Sequence, residues 1–156
     1  MELRRCGHRH GVVASLGLLL ACGDAESTGD AGVSPASERC DFSLMAGSVE
    51  TSKSGVSIEL VQTEPDPPAR FLNDWRIRLD AEALDSTSGA DLDVEPFMPA
   101  HGHGAGTPVT VHDMEDDGLY DLQGLNLWMG GHWEVRIGFK VADLSDRVVF
   151  DVCIPD

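Results

Sequence analysis

The chain has 156 residues, with 11 lysines and arginines against 27 aspartates and glutamates, and a formal net charge of −16 at neutral pH. That balance excludes a nucleic-acid binder, whose affinity comes largely from basic side chains neutralising phosphates, and it draws cations to the surface while repelling anionic lipid. The length suits one domain with one core.

Taken in order, residues 1–21 read as an export signal. Arg4, Arg5 and Arg9 form a basic region, and Val12 to Ala21 follow as an apolar run broken only by Ser15 and Gly17. The run is well short of the roughly 20 residues that a spanning helix needs. It ends Leu19-Leu20-Ala21-Cys22, which resembles the lipobox of bacterial lipoproteins, in which the cysteine is acylated and becomes the new N-terminus. The plainer reading is a small-residue cleavage site with an incidental cysteine. Gly23 rather than aspartate after Cys22 leans toward the outer membrane, so the expected location is the bacterial cell envelope, with the domain facing the periplasm. Removing residues 1–21 takes away three arginines and one glutamate, leaving 8 basic and 26 acidic residues. Acyl chains on Cys22 are then the expected anchor in the lipid bilayer.

Residues 22–39 comprise Cys22 and a polar, glycine-rich segment with a single β-branched aliphatic and no aromatic, too little apolar surface to offset the entropy of ordering. A tether is expected there, and a folded domain over 40–156. Cys6 leaves with the signal and Cys22 is consumed by lipid, so Cys40 and Cys153 remain, one at each end of the domain. In an oxidising envelope two such thiols are expected to pair, closing a loop of over 100 residues that stabilises by roughly 4–5 kcal/mol. The competing reading, a Cys/Cys metal site, lacks a nearby second pair of ligands.

The domain alternates apolar and polar residues almost throughout. Ser57 to Val61, Trp75 to Leu79, Trp133 to Val141 and Val148 to Ile154 each present one apolar face, the signature of strands with one dry side. Asp91 to Val94, Val109 to Asp113, Leu119 to Leu122 and Leu125 to Trp128 supply shorter candidates. Turn-forming clusters separate them, at Glu64 to Pro68, Asp85 to Gly89, Asp116 to Gly118 and Asp143 to Asp146. Seven to eight strands without helical periodicity predict an all-β, immunoglobulin-like antiparallel β-sandwich. Cys153 has the parity of Arg147, Val149 and Asp151, which places its sulfur on the outer face, unlike the core-crossing disulfide of antibody domains. Trp75 is expected in the core.

Two glycine-rich stretches carry the chemistry. Phe97 to Gly106 holds Met98, His101 and His103, and Trp128 to Trp133 holds Met129 and His132. Thioether and neutral imidazole are soft donors that suit copper, whereas calcium prefers carboxylate and carbonyl oxygen. Met98, His101, His103, Met129 and His132 are therefore the candidate metal ligands. The structural alternatives are a His-Gly-His turn whose imidazole bonds backbone, and methionines that fill core gaps beside Phe97 and Trp128. Trp128 and Trp133 are expected to pack. His132 has the parity opposite to Trp133 and can join the others only if both loops lie at one end of the sandwich. His112, on a short strand, is expected at the surface. Asp113, Glu115, Asp116 and Asp117 lack EF-hand spacing and read as a solvated turn. No nucleophile motif or phosphate loop stands out, and no catalysis is expected.

The run Met98-Pro99-Ala100-His101-Gly102-His103-Gly104, then Asp117-Gly118-Leu119-Tyr120 opening a strand, then Leu125 to Val135 leading into a long one, resembles the YtkA-like and FixH-like exported bacterial domains. The resemblance spans about residues 56–154. It implies an immunoglobulin-like sandwich and an association with copper handling and oxidase maturation, and hence a copper-exchange partner protein. A lipobox and tether stand where FixH-like chains have a transmembrane helix. The function expected is thus an anchored envelope lipoprotein that binds or passes copper; the alternative is a structural or interaction module without metal.

Overall fold

The computed structural model describes residues 44–155; the signal, Cys22, the tether and Cys40 lie outside the described residues. Among the described residues nine strands are formed, β1 Val49–Thr51, β2 Val56–Glu64, β3 Phe71–Ala81, β4 Asp91–Met98, β5 His103–Gly104, β6 Thr110–Asp113, β7 Leu119–Leu127, β8 Gly131–Val141 and β9 Leu144–Ile154. All pairings are antiparallel, in a five-stranded sheet ordered β1-β2-β3-β7-β6 and a four-stranded sheet ordered β5-β4-β8-β9. The expected all-β sandwich forms, with nine strands instead of seven or eight. The difference lies in β1 and β5: three exposed residues and a two-residue His-Gly pair, both too short to show alternation in sequence.

The dry faces meet as the alternation dictates. Ile58, Leu60, Trp75, Ile77, Leu79, Tyr120, Leu122, Leu125 and Leu127 from the larger sheet pack on Trp133, Val135, Ile137, Phe139, Val148, Phe150 and Val152 from the smaller. Trp75 meets Phe150 edge-on, with centroids 6.1 Å apart and planes at 87°, an arrangement that adds about 0.5–1.5 kcal/mol beyond the area buried. Between the layers, buried Tyr120 donates to the Thr87 carbonyl at 2.7 Å and accepts from Ala90 N at 2.8 Å, fastening the loop that carries the chain from β3 into the opposite sheet.

The strands read from sequence as Leu119 to Leu122 and Leu125 to Trp128 are one strand. Their inward parity breaks at Gln123-Gly124, where β7 bulges: Trp75 stands opposite Leu122 but Asn73 opposite Leu125. Gly124, at φ +82, absorbs the irregularity, and its N–H donates to the Asp74 carboxylate at 2.8 Å. Both halves thereby keep their leucines in the core.

Candidate metal site

β4 ends at Met98, whose side chain is buried. Pro99 cannot extend the ladder, and the chain turns back at once: the Met98 carbonyl accepts from His101 N at 3.1 Å and Gly102 N at 2.9 Å. Gly102, at φ +67, permits the reversal. β5 then pairs with β4, His103 directly opposite Met98 and Gly104 opposite Phe97. The Gly104 position would bring a Cβ within 3.3 Å of the Pro96 carbonyl. On the outer face Phe97 lies under the Arg136 guanidinium at 3.7 Å from the ring centroid, and Arg136 pairs in turn with Glu134 at 2.7 Å.

The His101 and His103 rings are 5.7 Å apart between centroids and tilted 38°. A metal–nitrogen bond of about 2.0 Å places each centroid roughly 3.2 Å from an ion, so rings on one ion with an angle near 125° would show about this separation. The Nδ1 atom of His103 lies 3.1 Å from the Gly104 carbonyl. A carbonyl only accepts, so this contact selects the tautomer of the neutral ring with the hydrogen on Nδ1 and the lone pair on Nε2, the tautomer in which metal-bound histidines are commonly held by a backbone carbonyl.

The second glycine-rich stretch lies at the same end of the sandwich. Trp128 stacks on His103, centroids 5.6 Å apart and planes at 14°. A Cβ at Gly131 would come within 2.9 Å of the Met98 terminal methyl, and Gly131 sits at φ +116. Met129 packs against the core, its carbonyl accepting from Trp133 Nε1 at 2.9 Å. The structure therefore brings His101, His103 and Trp128 together, with Met98 directly across the ladder from His103 and against Gly131, two residues after Met129 in the chain.

His132 is placed elsewhere. Trp133 points into the core, so His132 faces outward from the smaller sheet, where its Nε2 lies 2.6 Å from Asp151 Oδ1 and its register partner is Cys153. Met98 faces the interior of that same sheet. Cys153 stands on the outer face, as its parity predicts, and its expected partner Cys40 lies outside the described residues. Exposed His112 sits on the edge strand β6. Among the described residues no three His, Cys, Asp or Glu side chains converge as ligands of one ion, so the donors offered at the turn are two imidazoles and thioethers.

The acidic turn binds its own backbone. The Asp117 carboxylate accepts from Ser86 Oγ at 2.8 Å and from Thr87 N at 2.9 Å, and Asp113 accepts from Gly89 N at 2.7 Å. Those bonds, led by the Thr87 amide, hold the Asp117 carboxyl below the usual aspartate value.

Sequence reading missed Arg70, Phe71 and Leu72 and placed Trp128 in packing. The signal was present: Phe71-Leu72 begin β3 as adjacent large apolar residues, and neighbours on a strand cannot both face the core.

A small all-β sandwich with soft donors gathered on the turns at one end is the class these features define. The profile of the YtkA-like family matches residues 51–138, more than half of the chain, and the chain belongs to that family. Neither the curated proteins nor the solved structures give a match to it.

Proposed function

We propose that this YtkA-like domain is an envelope lipoprotein module that binds or passes copper, with no catalytic step of its own. The observation that carries the reading is the His101–His103 ring spacing with His103 Nε2 kept as a lone-pair donor beside Trp128. Two imidazoles with thioethers from Met98 and Met129 form a soft set, which favours Cu(I) over zinc or calcium. Burial of Met98 makes its sulfur a ligand that a small outward movement of the 98–102 turn would recruit. His132, bonded to Asp151 on the outer face, is left out of the primary set. Acylated Cys22 would hold the module at the bilayer, and the metal would pass to a partner protein at the exposed His101.

The test uses purified residues 23–156, titrated with Cu(I) against a competing chelator. About one equivalent is expected, with a Tm rise corresponding to roughly 2.7 kcal/mol at a hundredfold excess over Kd. The His101→Ala/His103→Ala variant should lose both. Equal retention by that variant, or less than about a tenth of an equivalent bound by the parent, rejects the proposal and leaves a structural or interaction module.

A further inference from the structure

At the end that carries the His101–His103 turn, three large apolar side chains stand in solvent: Phe71 is 61% exposed, Leu72 66% and Trp128 39%. They are neighbours, because Phe71 lies opposite Leu127 on β7 and Trp128 is the next residue. Arg70 joins them, its Nη2 donating to the Trp128 carbonyl at 3.1 Å and its guanidinium carbon 5.5 Å from the Phe71 ring centroid.

The exposure is built into the backbone. Asn73 and Trp75 are buried, so an ordinary strand would bring Phe71 inward as well. Phe71 instead has φ +76, a left-handed conformation that a bulky residue holds only where its surroundings enforce it. Asn73 supplies the constraint, its side chain bonding Ala69 N at 2.9 Å, Ala69 O at 2.8 Å and Phe71 O at 2.9 Å.

The chain also enters from this side. β1 runs antiparallel to β2 with Thr51 opposite Ser57 and Val49 opposite Glu59, and Gly47 N donates to Leu60 O at 2.7 Å. The segment before β1 therefore runs along β2 toward Glu64, the end of that strand from which the loop to Phe71 departs. The expected anchor Cys22 stands 22 residues before Leu44 in the chain, on the side from which the described chain enters.

We infer that the Arg70–Leu72 and Trp128 end docks on the surface of a zwitterionic bilayer, an inference that rests on the reading of Cys22 as the acylated anchor. Tryptophan and other apolar rings with a snorkelling arginine suit the headgroup boundary. A net charge of −16 disfavours anionic lipid. Docking would set the His101–His103 turn against the headgroups.

Residues 23–156 contain all of the described residues 44–155 and lack Cys22, so vesicle binding by them reports the patch alone. Phosphatidylcholine vesicles should carry the protein in flotation and blue-shift its emission, a change assignable to Trp128 because Trp75 and Trp133 are 1% and 0% exposed. Phe71→Ser/Leu72→Ser should weaken partition at least about tenfold, and Trp128→Phe should abolish the shift while retaining most binding. Phosphatidylglycerol vesicles should bind no better. Absence of flotation at millimolar lipid overturns docking, as does unchanged partition of the double variant. A dimer in sedimentation equilibrium that the double variant loses would overturn it too, assigning the patch to a second copy. The mass of the mature chain from cells tests the anchor separately: an unacylated Cys22 rejects the anchor, whereas acylated Cys22 without vesicle binding rejects docking alone.

Discussion

Among the described residues Phe71 is the bulkiest of three non-glycine residues held at positive φ, with Glu115 and Ala142. Its left-handed backbone costs about 1–3 kcal/mol, and its exposed ring returns little burial energy. Phe71→Gly should therefore stabilise the domain by up to about 2 kcal/mol after glycine's own entropic cost of roughly 0.5–1 kcal/mol, read as a higher urea midpoint. Asn73 behaves oppositely. It is 1% exposed and its amide bonds both polar groups of Ala69 and the Phe71 carbonyl. Asn73→Ala strands those groups and should cost about 2–4 kcal/mol by the same measurement. The two substitutions separate strain from the device that maintains it.

At the scale of elements, the β6–β7 turn is fixed by its approach to β3 and the 86–88 loop. Gly118, at φ +69, accepts from Leu79 N at 2.7 Å, and a Cβ there would lie 2.1 Å from the Leu79 carbonyl and 2.4 Å from Thr87 Oγ1. Gly118→Ala must open the turn and should lower stability by about 3 kcal/mol or more. The adjoining Asp117 gives the turn a pH signature. Its carboxyl is depressed in the folded state, chiefly by the Thr87 amide and then by Ser86, so its contribution is present above the unfolded value near 3.9 and is lost as pH falls through the lower folded value. Asp117→Ala should therefore unfold at lower urea than the parent at pH 7, with the gap closing below about pH 4. A gap constant over that range would show that the Asp117 charge is not involved.

For the whole molecule, the acidic excess outweighs the ion pairs. Arg76 meets Asp121 at 2.7 Å and Arg136 meets Glu134 at 2.7 Å, but partly exposed pairs contribute little, and 27 carboxylates face 11 basic residues. Self-repulsion is screened over about 10 Å at 0.1 M salt. Raising sodium chloride from about 10 to 150 mM should raise Tm at pH 7; a falling Tm would mean that the attractive pairs dominate.

Alternation alone determined the sandwich. A period of two assigns each residue of Trp133 to Val141 and Val148 to Ile154 to a face whatever the partner strand, and β8 and β9 place those faces as read. The same parity set Cys153 and His132 on the outside. Residue type likewise marked the two glycine-rich stretches, since soft donors are a property of side chains and not of position. Tertiary structure alone decided which donors meet. Loop ends are brought together by sheet order and register, and no local period encodes that; hence His103 stacks on Trp128 while His132 turns to Asp151. The bulge at Gly124 arises from a contact distant in sequence and the left-handed Phe71 from the Asn73 side chain folding back on Ala69 and Phe71; no period encodes either, and they turned two short strand readings into β7 and two unremarked apolar residues into an exposed patch.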